Sequence, residues 1–503
     1  MTPTERAIAR LPRHLRRFVV AQDYGAYTPR DQAVWRHILR RLTGHLKDKA
    51  HPVYLEGLAA TGIGLERIPS LDEMNEKLEG LGWSAVAVRG FLPPAVFTEL
   101  QTLKVLAIAE DIRDHRHIAY TPAPDIVHES AGHAPILAHG RYAEYVQRCG
   151  LVGFKAIASV EDEAVFEAIR NLSVVKEDPS ATQKDVAFAE ARLAAASASR
   201  RCVSENTRAS RLYWWTAEYG LIGDLAAPKI YGAGLLSSIG EAEHCLTDAV
   251  KKLPLSLVCA DTEYDITTMQ PQLFVARDFD HLFEVLEAFE GTLAWKRGGD
   301  FGLDEAFRAR TVNHLVLEGG LELTGRVVER IVADEELRPG LSTVLAHLEG
   351  PVQVSRNHRA LGQPWSGPAL VAFDGAEVPE QGPFRLELGG GTVLEGFAVG
   401  HHEVVNLKAT VKGHTLALPS WCLLFTSRSL PSVAGGPADP EAWDRAFGEL
   451  NAFAAGDAEA RARAAKAQAL PAETAALYAE LRRQRESGQP DAAVLQSISR
   501  KAP

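Results

Sequence analysis

The pattern of apolar and polar positions divides the chain into three stretches. Over residues 1–310, apolar side chains recur mainly three and four apart, the period of helices with one buried face. Thr28-Pro29-Arg30-Asp31 predicts a helix start, with threonine as N-cap, proline in the first turn and an acid at the positive dipole end. Trp35, Ile38 and Leu39 then form its apolar face. Ser70-Leu71-Asp72-Glu73 has capping-box spacing, which predicts a second helix ending near Gly80. Trp83 to Phe91 alternates and predicts a short strand. Residues 176–206 are polar, then rich in Ala, Arg and Ser, the texture of a loop and an exposed helix on an inserted surface hairpin. From 350 to 425, Gly/Pro-rich turns separate short alternating runs, and 384–399 and 402–419 predict antiparallel strands. Residues 436–503 return to Ala/Arg/Glu-rich, helix-forming sequence broken at Pro471 and Pro490.

The expected architecture is therefore a mainly α domain over 1–310 with an insertion at about 155–210, a smaller β-rich domain over 311–430, and a helical C-terminal segment over 431–503. A length of 503 residues exceeds one ordinary core and agrees with several domains. The net charge of -11 gives no reason to expect nucleic acid or an anionic membrane as partner. No apolar run approaches the roughly 20 residues needed to span a bilayer. The basic N-terminus is broken by Pro12 and lacks the apolar core of a secretion signal. Five scattered cysteines without CxxC spacing fit reduced thiols, so a cytoplasmic location is expected.

Candidate chemistry concentrates in three segments. The first is Tyr120-Thr-Pro-Ala-Pro-Asp-Ile-Val-His128-Glu129-Ser-Ala-Gly-His133. At 100° per residue, His128 and His133 would point about 140° apart on an ideal helix. The expectation is that the helix ends at Gly132 and lets His133 swing back. A zinc protease helix needs His-Glu-x-x-His, and here there is one residue too many. The second segment is Tyr213-Trp-Trp-Thr-Ala-Glu218-Tyr-Gly, where an apolar, aromatic setting leaves Glu218 in need of a metal or an arginine. Two histidines and one carboxylate on one face of a metal is the arrangement of non-haem Fe(II) oxygenases. The third is Tyr231-Gly-Ala-Gly-Leu-Leu-Ser237-Ser238-Ile-Gly-Glu241, a glycine-kinked loop entering a helix; its glycine spacing does not match a dinucleotide fingerprint. His401-His402-Glu403 is expected to be a solvated strand end rather than a metal site.

Taken together and in this order, the three segments resemble the pterin-dependent aromatic amino acid hydroxylases, in the style of the bacterial phenylalanine enzymes, from about residue 20 to about 295. The resemblance implies a monooxygenase that hydroxylates an aromatic ring with Fe(II), tetrahydrobiopterin or a related reduced pterin, and O₂. It places iron on His128, His133 and Glu218, with Tyr213 hydrogen-bonding near the iron. The substrate carboxylate falls to Arg113 with Thr121 and Ser237, and the aromatic side chain to Trp214, the Pro122/Pro124 turn and Gly234. Leu92, Phe97 and Glu129 are implied as pterin contacts, with Phe97 stacking on the ring, and Glu241 as the support of a ligand histidine.

The chain departs from the family pattern at Pro94, where some relatives have a polar pterin contact, and at Tyr219, where phenylalanine is usual. Ile266 stands where an acid would suggest tyrosine as substrate, so L-phenylalanine is expected, with tryptophan or tyrosine as the alternatives. Readings of another class are a zinc hydrolase using the two histidines, or a catalytic fold kept as a binding scaffold. A small-molecule amino acid is the expected partner, and a homodimer is one candidate assembly.

Overall fold

The helix expected at Thr28 spans Pro29–Leu46 and begins with a reciprocal cap. The Thr28 hydroxyl accepts from the Asp31 N–H at 3.2 Å, and the Asp31 carboxylate accepts from the Thr28 N–H at 2.8 Å. Val34, Trp35, Ile38, Leu39, Leu42 and Leu46 form its buried stripe. The structure, a computed structural model, describes residues 1–119, 124–178, 180–266, 268–332, 343–373, 377–388, 391–426, 429–448 and 471–501.

The second helix, Leu71–Leu78, starts where expected but without the capping box. Ser70 makes no side-chain cap bond. The Leu71 N–H instead donates to Gln22 Oε1 at 2.9 Å, and the Asp72 carboxylate accepts from the Thr4 N–H at 3.0 Å. Partners distant in sequence have replaced the local cap. The strand expected at 83–91 is Ser84–Val88, parallel to Val105–Ala109 and flanked on its other side by Val19–Val20. One large core runs from Val34 to Leu293, and the segments around His128, Trp215 and Leu235 are buried within it. The stretch expected to be an inserted hairpin holds the helices Val160–Glu177 and Gln183–Ala198, the latter largely exposed, with Phe188 68% accessible.

Beyond residue 310 the described residues build an eleven-stranded sheet. Its central strands, Ala369–Ala372, Cys422–Thr426 and the first half of Thr343–Arg356, are buried on both faces, and their apolar runs are correspondingly continuous rather than alternating. Ala346, Val371 and Phe425 face a core shared with Ile157 and Ala294 of the helical part. Leu345, Leu370 and Leu424 face a second core closed by Leu386, Leu394 and Leu407. The strands expected at 384–399 and 402–419 are successive antiparallel hairpins. His401 and His402 form the turn between two of them, both with positive φ and both exposed.

The sheet also enters the stretch expected to be helical. Ser432–Gly435 pairs antiparallel with Val312–Val316. Four residues are too few to show alternation, and their partner strand lies more than a hundred residues back. Only then do helices follow: Pro440–Phe447 lies against Arg13–Arg16, with Arg17 Nη1 2.5 Å from Asp444 Oδ1, and Ala472–Glu486 lies against Pro29–Leu46. Among the described residues no helix is long and apolar enough to cross a membrane.

Candidate metal centre and aromatic pocket

Val127–His133 is wound as a π-helix. Its wider turn pairs residues five apart, so positions i and i+5 return to nearly one face. The His128 and His133 imidazoles accordingly meet with their Nε2 atoms 3.3 Å apart. The helix does not end at Gly132, as expected from sequence; the extra residue is absorbed by the winding itself. Gly132 serves another purpose, because a Cβ there would stand 2.6 Å from the Ala233 carbonyl oxygen. Glycine lets Ala233–Ser237 pack against this turn.

A second π-turn, Trp214–Glu218, follows helix Glu205–Tyr213 and delivers the carboxylate. Glu218 Oε1 lies 3.1 Å from His133 Nε2, and Oε2 lies 3.3 Å from His128 Nε2. Metal–imidazole bonds of about 2.1 Å put neighbouring ligand atoms of an octahedron about 3.0 Å apart. The separations of 3.1–3.3 Å are of that size, and a tetrahedral centre gives about 3.4 Å, so the two imidazoles and the carboxylate can share one metal ion. Among the described residues this is the one group of three or more His, Cys, Asp or Glu side chains so arranged. Two imidazoles and a carboxylate, with no thiolate, suit Fe(II). Burial raises the Glu218 pKa, but the adjacent His133 and His128 outweigh it and hold the carboxyl well below its usual range. It is ionised, as a ligand must be.

Ser237 fixes the tautomer of the first ligand. Its hydroxyl donates to the Ala233 carbonyl at 2.7 Å, so at 3.0 Å it accepts from His128 Nδ1–H. Nε2 is then the unprotonated nitrogen facing the triad. Two expectations change. The Ser237 proton is committed, leaving none for a substrate carboxylate. The support assigned to Glu241 belongs to Ser237, because the Glu241 carboxylate accepts from the Gln270 N–H at 3.3 Å, and burial pushes its pKa up to about 7. Ser237→Ala is expected to weaken iron binding by about 10–100-fold while the protein stays folded. Fe(II) titration of the variant beside the wild type measures this.

Arg113 is buried and held in a fixed plane. Asp125 takes its Nε and Nη2 hydrogens at 2.8 and 2.7 Å, and the Ser237 carbonyl takes one from Nη1 at 3.1 Å. Of the five N–H groups of a guanidinium, two remain unused among the described residues, one on Nη1 and one on Nη2, and Arg113 lines the cavity. Asp125 also accepts the His128 N–H at 3.0 Å, tying this pair to the start of the metal-binding turn. Burial raises the Asp125 pKa, but the Arg113 charge and hydrogen bonds outweigh it, so it lies below its ordinary value. Thr121 and Pro122 lie outside the described residues; Pro124 lines the cavity.

The cavity, about 280 Å³, reaches from the triad to a stack of three rings. Trp214 lies between Tyr219 (centroids 4.4 Å apart) and Tyr264 (4.2 Å). Tyr219 thus keeps an aromatic wall where phenylalanine is usual. Gly234 permits the approach, since a Cβ there would meet the Tyr219 ring at 2.8 Å. Ile266 adds an apolar wall. Sequence reasoning missed Tyr264, which sits in a polar stretch with no periodicity to mark it.

On the opposite side, Phe97 of helix Pro94–Thr102 lines the cavity, edge-on to Tyr213 at 5.8 Å. The Leu92 side chain, implied as a pterin contact, packs instead on the N-terminal core with Leu11, Leu15 and Phe18, and Phe91 faces the cavity. Glu129 Oε2 is 4.0 Å from His133 Nε2, and burial pushes its carboxyl up to about 8. The Tyr213 ring lies 6.5 Å from that of His133, but its hydroxyl pairs with Gln101 Nε2 at 2.5 Å rather than with a member of the triad.

The chain is similar to several known proteins. The family described as "Biopterin-dependent aromatic amino acid hydroxylase" matches residues 21–168 and 183–300; the break between them is shorter than the insertion expected at 155–210. The chain is 30% identical over 295 residues to a phenylalanine-4-hydroxylase of Mesorhizobium japonicum, covering 58% of this chain and 90% of the relative. It is 28% identical over 270 residues to the enzyme of that name from Chromobacterium violaceum, covering 53% and 76%. Among solved structures, the Chromobacterium violaceum phenylalanine hydroxylase with bound iron(III) and oxidised 7,8-dihydrobiopterin is similar at 28% identity and a TM-score of 0.44, over 57% of this chain and 90% of that one. With just over half of its residues inside the family match and a relative 30% identical that it spans almost end to end, the protein belongs to the biopterin-dependent aromatic amino acid hydroxylases.

Proposed function

We propose that the protein is an Fe(II)- and tetrahydropterin-dependent monooxygenase that uses O₂ to hydroxylate the ring of L-phenylalanine, giving L-tyrosine. The observation that carries this is the convergence of His128, His133 and Glu218 at one cavity with Trp214 and Phe97. When bound, the iron and the reduced pterin supply the activation of O₂. The protein positions the reactants and excludes water. The free edge of Arg113 receives the substrate carboxylate, since a planar guanidinium suits bidentate recognition. Trp214, held between two tyrosines, braces the aromatic ring. Ile266 offers no acceptor to a ring hydroxyl, which disfavours tyrosine as substrate. Phe97 stacks on the pterin, with Glu129 on the same side. Relatives named phenylalanine-4-hydroxylase support this choice of substrate. The hydroxylase unit is assigned to residues 1–310 and the accessory sheet to the region from 311, with Ser432–Gly435 as its last strand. Five unpaired cysteines fit a reducing cytoplasm.

The test is a product assay with phenylalanine, tyrosine and tryptophan in parallel. The expected result is tyrosine from phenylalanine, requiring Fe(II), tetrahydrobiopterin and O₂ together. Hydroxylation of tryptophan in preference would reassign the substrate. Turnover of none of the three would end the proposal.

A further inference from the structure

The main path of the C-terminal sheet ends on two strands. One end, Ser432–Gly435, is covered: a Cβ on Gly435 would stand 2.5 Å from the Ala156 carbonyl oxygen of the helical part. The other end is Gly382–Leu388. It pairs with Thr392–Gly400 through seven consecutive residues with no register shift. Among the described residues no strand follows on its outer side, and its backbone groups make no hydrogen bond outside that one ladder. A regular edge of this length is a template for a further strand. Its side chains select which one. Phe384, Leu386 and Leu388 are buried in the core they share with Leu394 and Leu407, while Arg385 and Glu387 are exposed on the outer face. Around Leu386 the order is thus apolar, cation, apolar, anion, apolar.

We propose that this edge binds a second copy of the chain, the two Gly382–Leu388 strands pairing antiparallel about a two-fold axis at Leu386. In that register Arg385 stands opposite Glu387 twice on the outer face, and Phe384 opposite Leu388 twice on the inner one. A slip of one residue turns one copy's apolar set outwards. A slip of two sets Arg385 against Arg385 or Glu387 against Glu387. The charges that would guard an edge against foreign strands are therefore self-complementary in one register alone. Within one chain Lys408, Glu395 and Arg385 already alternate in sign across three neighbouring strands, and Glu387 of the second copy continues the row. Because the other end of the sheet is covered, association closes at two copies instead of growing into a filament. One strand from each copy is a small interface, so a dimer that half dissociates at about 1–100 µM is expected.

The experiment is sedimentation velocity of the full-length protein across that concentration range. The wild type is expected to pass from monomer to dimer. Glu387→Arg sets arginine against arginine at both contacts, and Arg385→Glu sets glutamate against glutamate. Each is expected to weaken the dimer about 10–100-fold. Both positions are exposed, so the melting temperature should barely move. An equimolar mixture of the two variants restores both Arg–Glu contacts between unlike chains, and is expected to recover most of the lost affinity. Variants that dimerise as the wild type does overturn the inference, as does a mixture that stays monomeric. A wild type that is monomeric throughout also overturns it, and leaves the edge to a strand of another protein.

Discussion

Glu218→Ala is expected to give a folded protein that retains no iron and makes no tyrosine, with turnover down by at least about 10³-fold, the scale of a lost metal contribution. The carboxylate completes a cluster whose other members are two imidazoles 3.3 Å apart. Without it the site keeps two ligands and loses its only anion, and a pair of neutral imidazoles holds Fe(II) poorly. Folding should survive because Glu218 is bonded to His128 and His133, which can stay neutral when it is removed. Its neighbours Trp215 and Ala217 remain in the core. Metal analysis after anaerobic Fe(II) reconstitution, a thermal melt and the tyrosine assay together check this. A variant that keeps its iron and its turnover would remove Glu218 from the site.

The ligand set was legible because its residue types sit in three segments whose order and spacing are specific. The way the chain brings the ligands together was not. A spacing of five excludes a shared face on an α-helix, but no residue type marks a π-turn, so a helix end at Gly132 was the natural expectation. The role of Gly132 depends on Ala233, a hundred residues away, and only packing reveals it. Supporting roles were less legible for the same reason. Ser237 ends one short helix and Glu241 lies four residues on, in the next, so which of them steadies His128 depends on how the chain turns between the two. Likewise Leu92 and Phe91 are neighbours on one loop, and backbone direction decides which of them faces the cavity. In the C-terminal third, alternation marked the hairpins whose partners are adjacent in sequence. It could not mark Ser432–Gly435, whose place depends on a strand at 312–316.

Arg113→Ala is expected to act on two properties at once, and a second substitution separates them. Asp125 is 3% exposed and takes both its strong hydrogen bonds from the Arg113 fork. Removing the cation leaves a buried, uncompensated carboxylate, which costs about 3–5 kcal/mol of stability. A large fall in Tm is therefore the first expectation. A rise in the phenylalanine KM would be ambiguous on its own, because Asp125 also accepts the backbone N–H of His128 and its displacement would disturb the metal-binding turn. The double variant Arg113→Ala/Asp125→Asn removes the stranded charge. It is expected to recover much of the lost stability while the KM stays about 10–100-fold above wild type, the scale of one charge-assisted contact. Arg113→Lys keeps the charge but loses the fork, and should fall between the two in both measurements. If the double variant folds well and binds phenylalanine normally, Arg113 is the partner of Asp125 alone. If stability returns and KM does not, the free edge of the guanidinium is the group that holds the substrate.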